Sequence, residues 1–87
     1  MRKKLYKGLK AYLREEFLKC RHTLNIPQEE MAHRLLMSTR AYVSLEGGKF
    51  CCNLVTVALF LSWCCTDRVA FLDGLLCTLE SSASKGD

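Results

Sequence analysis

QEEMAHRLLMSTRAYVSLEGGK, residues 28 to 49, decides how the rest of the chain is read. It holds two short helical patterns either side of a break at residues 36 to 38. The first runs from about Pro27 to Leu36, because proline suits the opening turn of a helix and disfavours helical geometry in the residue before it. Its inward residues are Met31, Ala32 and Leu35, and Glu29 and Glu30 sit in the first turn, where negative charge opposes the helix dipole favourably. Ser38 is a good N-cap for the second helix, which ends near Glu46. Gly47 and Gly48 follow it, and glycine closes a helix in the left-handed conformation without steric cost.

Two features of the stretch concern how these helices meet. Ala32 is small at mid-helix, as a close crossing of the two axes requires. On the second helix, Thr39, Val43, Arg40 and Ser44 fall at about 0°, 40°, 100° and 140°, with Tyr42 and Leu45 near 300° and 240°. One face therefore enters a core while the opposite face carries a short, mixed set of side chains.

Outward from this stretch the pattern remains helical. Leu5, Leu9, Tyr12, Leu13, Phe17, Cys20 and Leu24 recur at three and four and mark a first helix, whose opening turns Gly8 weakens. A fourth helix, capped by Asn53, covers Leu54 to Ser62 and is apolar nearly all round, so it is expected to be enclosed by its neighbours. A fifth begins near Asp67, with Val69, Leu72, Leu75, Leu76 and Leu79 as its stripe. SSASKGD, residues 81 to 87, is expected to be a mobile tail. There is no two-residue alternation, repeat or linker. At 87 residues the chain makes one domain, here read as residues 1–80 with a basic N-terminal extension at 1–12.

Charge is uneven. Residues 1 to 22 hold eight Lys/Arg against two Glu, residues 23 to 49 three against three, and residues 50 to 87 two against four. A basic amino end suits a polyanion, either nucleic acid or an acidic membrane surface, and is equally compatible with a solvated helix face. The apolar run CCNLVTVALFLSWCC, residues 51 to 65, is shorter than the roughly 20 residues a membrane span needs. No apolar run of signal-peptide length follows the basic start, so a cytoplasmic location with reduced thiols is expected for the six cysteines. Adjacent cysteines point apart, so buried thiols acting as small hydrophobes are favoured over zinc or redox sites.

Gln28 to Ala32, the run LMSTRAYVSLE from Leu36 to Glu46, and the following Gly48 and Lys49 together resemble the lambda-repressor-like helix-turn-helix of phage repressors, Cro proteins and related bacterial regulators. The resemblance covers roughly residues 13 to 76. It implies a compact all-α domain of five helices, with the helix-turn-helix formed by helices 2 and 3. It further implies an ion pair between Arg21 and Glu46. The residues point the same way, since Arg21 lies on the stripe of Phe17 and Leu24, where a charge needs a carboxylate partner.

The resemblance also implies a DNA-binding set. Gln28 and Lys49 stand where the family meets phosphates, and Ser38, Thr39, Arg40, Val43 and Ser44 stand on the helix that enters the major groove. Arg40 is the strongest candidate base reader, because a guanidinium takes guanine O6 and N7 together. Val43 could meet a thymine methyl. The chain departs from the family at three points: Leu36 replaces the usual turn glycine, Pro27 the usual Ser or Thr cap, and Phe50 with Cys51 and Cys52 the usual proline. Leu36 must either bear a left-handed backbone at about 1 to 2 kcal/mol or take another turn geometry.

The expected function is a sequence-specific regulator, a repressor, acting as a homodimer on double-stranded DNA with no cofactor or metal. The competing class is a protein-interaction module, such as an antitoxin or antirepressor, that grips a protein partner through helices 4 and 5. No nucleophile triad or paired-carboxylate constellation suggests an enzyme, and His22 and His33 read as surface helix residues.

Overall fold

The computed structural model describes residues 2–49, 53–64 and 67–84, and in them every regular element is helical. The order is α1 (Arg2–Leu24), α2 (Gln28–Arg34), α3 (Thr39–Glu46), α4 (Leu54–Leu59), which continues into a π-helical turn at Phe60–Cys64, and α5 (Arg68–Ser84). No helix is long and apolar enough to cross a membrane among these residues.

The first three helices end in the same way. After α1, the Asn25 amide donates to His22 O and the Ile26 amide to Arg21 O, with Asn25 at φ 54°. After α2, Leu36 donates to His33 O and Met37 to Ala32 O, with Leu36 at φ 55°. After α3, Gly48 donates to Leu45 O and Lys49 to Ser44 O, with Gly48 at φ 81°. Each is the paired-bond closure in which one left-handed residue turns the chain back and satisfies two orphan carbonyls. Asparagine and glycine accept that conformation at little cost, whereas Leu36 adopts it against its own sterics. Gly47 stays right-handed at φ −79°, leaving Gly48 as the residue that needs to be glycine.

The buried core comprises Leu13 and Phe17 from α1, Met31 and Ala32 from α2 with Leu35 just after it, Tyr42 and Leu45 from α3, Phe60 and Cys64 from the π turn, and Phe71 from α5. Phe60 is the hub of its aromatic part. It stands edge-on to Phe17 at 4.7 Å between ring centroids and tilted against Phe71 at 5.3 Å. Tyr12 joins the row against Phe71 at 5.6 Å and donates its hydroxyl to the Phe71 carbonyl at 2.7 Å.

Helices α1 and α5 pack along much of their length, and the absence of a side chain at Gly74 makes room for Tyr12 between them. A Cβ at Gly74 would collide with the Tyr12 ring, and one at Gly8 would collide with the Ser82 hydroxyl. Residues 2–12, the basic N-terminal extension, form the amino half of one continuous helix, α1. The same contact accounts for the carboxyl side: α5 continues through Ser84, so residues 81–84 are helix and not the start of the expected tail. Residues 85–87 lie outside the described residues.

The expected burial of helices 4 and 5 is corrected. In α4 and its π turn only Thr56, Phe60 and Cys64 are buried, a spacing of four that makes one stripe. Leu54, Val55 and Trp63 remain 82%, 65% and 55% exposed. In α5 the inward side is Phe71, Gly74 and Leu75, while Val69, Leu72 and Leu76 face outward at 70%, 44% and 54% exposure. A helix that is apolar on several sides cannot bury them all in a chain this small, and the side that fits the neighbour is the one enclosed. Cys77, one of the thiols expected to be buried, is likewise exposed.

Candidate nucleic-acid interface

The outward face of α3 is built by what holds the helix from behind. At its start, the Ser38 hydroxyl accepts from the Ala41 amide at 3.1 Å, which satisfies one of the open donors of the first turn. At its end stands Glu46, only 6% exposed. Arg21 donates through Nε to Glu46 Oε2 at 2.8 Å and through Nη2 to Oε1 at 3.1 Å, a two-point pairing between α1 and α3. The Tyr42 hydroxyl donates to Oε2 at 2.6 Å and the Gln28 amide to Oε1 at 2.7 Å. Among the described residues no buried side-chain polar atom lacks a hydrogen-bond partner.

The electrostatics of this cluster follow from its bonds. Burial disfavours the Glu46 carboxylate, but hydrogen bonds from Arg21, Tyr42 and Gln28 outweigh that effect and hold its pKa below the ordinary 4.5. The bond to Glu46 chiefly raises the Arg21 guanidinium further. Burial first, and then the bond to Glu46, raises the Tyr42 phenol well above its usual range, so it remains a donor. Arg21 also donates to Ile26 O at 3.2 Å, which ties the turn after α1 into the same cluster.

With its rear fixed, α3 turns Thr39, Arg40 and Val43 outward, all exposed, with Ser44 half-buried at the edge. Lys49, just past the helix, is exposed as well, and so is Ser38, whose hydroxyl is occupied by the cap. Six of the seven residues assigned to DNA contact thus lie on or directly beside α3. Gln28 stands apart from that group. It stands at the start of α2, half-buried, and its amide is committed to Glu46, which gives it a structural task that its assignment as a phosphate anchor did not foresee. As expected from Pro27, no side chain caps α2.

Two participants were missed from sequence. Arg14 donates through Nε to the Glu46 carbonyl at 2.6 Å and passes beside Gly48, where a Cβ would touch it, so it secures the end of α3 from outside. Its seven-residue spacing from Arg21, which puts both on one side of α1, was the available signal. Tyr42 was assigned to the core without its hydroxyl, although residue 42 lies one turn before residue 46 and so beneath the carboxylate.

Metal chemistry has no clustered ligands here: no group of three or more His, Cys, Asp or Glu is placed to hold an ion among the described residues. Cys20 donates its thiol to the Cys64 carbonyl at 3.2 Å, and Cys51, Cys52 and Cys65 lie outside the described residues. No protein-family model matches this sequence, and no curated protein or solved structure matches it either.

Proposed function

We propose that this chain is a lambda-repressor-like helix-turn-helix protein, a sequence-specific DNA-binding regulator that inserts α3 into the major groove. The observation that carries the reading is the contrast between the two sides of α3: a rear locked by the Glu46 cluster and a front where Arg40 is the one long side chain among Thr39, Val43 and Ser44. Short neighbours let a helix backbone approach base edges, and an exposed guanidinium can take guanine O6 and N7 together. The first turn of α3 contains no acidic residue, so its positive dipole end is open to phosphate. Lys49 adds a phosphate contact, and Gln28 can meet the backbone through the second N–H of its amide while the first stays on Glu46.

On this reading the protein is a cytoplasmic, non-enzymatic repressor without cofactor. It acts as a homodimer on half-sites about 34 Å apart. Selection of bound sequences from a random duplex pool tests it, repeated with Arg40→Ala. The unmodified protein should enrich one motif, and the variant should lose preference at a guanine within it by about 1 to 3 kcal/mol. Enrichment of no motif by the unmodified protein would sink the proposal.

A second reading, a module that grips a protein partner, draws on the exposed apolar residues Leu54, Val55 and Trp63 of helix 4 and Val69, Leu72 and Leu76 of helix 5. Sedimentation of the purified chain separates the two, because a DNA-reading homodimer is a dimer alone whereas such a module recruits a different protein.

A further inference from the structure

We infer that the amino half of α1 is a second phosphate-binding surface, which grips the duplex backbone beyond the segment that α3 reads and does so without regard to sequence. The inference rests on the DNA-binding reading above and extends it to a different element. At 100° per residue, Lys3, Lys7, Lys10 and Arg14 fall within about 60° of one another on α1. Glu15 and Glu16, the acids of that helix, lie about 120° and 140° away from the line of Lys3, so no carboxylate of α1 interrupts the stripe. Tyr12 and Gly8, which pack on α5, lie on the opposite side. The stripe is therefore turned away from α5.

Its lower end is placed by direct contact. Arg14 reaches the Glu46 carbonyl and lies against Gly48, next to exposed Lys49, so the stripe begins where α3 ends. From Arg14 to Lys3 it runs for about 16 Å. Lys3 and Lys7 are exposed, and Lys10 is half-buried with its ammonium 5.6 Å from the centroid of the Tyr6 ring. A duplex strand presents a charge about every 3.4 Å of helix axis, so a stripe of this length can meet several phosphates in succession. Flexible ammonium groups take phosphate as point charges, which suits grip and not base reading. An anionic membrane surface fits less well, because an interfacial helix needs a broad apolar face beside its cations and that side of α1 is spent on α5 and the core.

The test is the salt dependence of binding by the full chain and by the triple variant Lys3→Gln, Lys7→Gln, Lys10→Gln, on the selected duplex and on an arbitrary one. The slope of log K against log salt should fall in magnitude by about two to three for both duplexes. Lys19→Gln, on the far side of α1, should change it by less than about one. The selected motif and the melting temperature should stay as they were. An unchanged slope overturns the inference, as does an altered motif. So does a triple variant that loses binding to phosphatidylserine vesicles while its slope on DNA is unchanged. The two proposals fail separately: no enriched motif with a reduced slope removes the sequence-specific reader and keeps the stripe, whereas a motif with an unreduced slope does the reverse.

Discussion

Glu46 receives four hydrogen bonds from three side chains, and most of what positions the proposed reading face passes through it. Removing one member of a buried pair leaves the other charge uncompensated, so Glu46→Ala should cost on the order of 3 kcal/mol in chemical denaturation. Tyr42→Phe deletes one bond to a carboxylate and should cost about 1.5 to 3 kcal/mol. The pH dependence has a definite sign. Because the folded chain holds the Glu46 pKa below 4.5, the unfolded chain takes up the proton first on acidification. The stability from Glu46 is thus fully present above about pH 4.5 and is lost as pH falls through the folded value. Glu46→Gln should flatten stability across that window; an identical acid profile for the variant would remove the linkage. Leu36 offers the opposite kind of change. It is 68% exposed and left-handed, so Leu36→Gly relieves backbone strain while forfeiting little burial. A gain of up to about 1 kcal/mol is expected, and a lower melting temperature would show that the leucine side chain matters more than its backbone.

At the scale of elements, the α1–α5 contact depends on the absence of a side chain at residue 74, where the Tyr12 ring fills the space. Gly74→Ala should displace that ring, break its bond to the Phe71 carbonyl and cost about 1 to 3 kcal/mol by thermal melting. Tyr12→Phe alone removes the hydroxyl and its bond without crowding, so any cost of Gly74→Ala in excess of it measures the overpacking. Helix ends were the more legible part of the chain. Ser38, Asn53 and Asp67 each accept from the amide three residues on, which is what short polar side chains before an apolar periodic run are expected to do. The stripe of α1 was also legible, with Leu13 and Phe17 buried on it and Arg21 turned to a carboxylate. For α4 and α5 periodicity had no single answer, because Val69 with Leu72, Leu75, Leu76 and Leu79, and a run apolar all round, define more than one candidate face. Gly74 opposite Tyr12 and the aromatic row around Phe60 settled which face was enclosed.

At the scale of the whole molecule, the outward Val69, Leu72 and Leu76 bear on assembly. Replacing Leu72 and Leu76 by Glu should leave the monomer folded, since both are half exposed, and should lower the sedimenting mass if the proposed homodimer closes through this side of α5. An unchanged dimer would put its interface elsewhere. Sequence by itself determined an all-helical chain of five helices, the caps and breaks that punctuate it, the outward set on α3 and the need for a carboxylate beside Arg21. These are local properties, fixed by periodicity, backbone preference and the cost of burying a lone charge. Only the tertiary structure decided that Gln28 turns its amide to Glu46, that Arg14 clasps the end of α3, that Leu36 accepts a left-handed backbone, and that α4 and α5 leave leucines in solvent. Each of those depends on which distant surfaces fit together in three dimensions, and the spacing of residues along one helix carries no record of the partner it will meet.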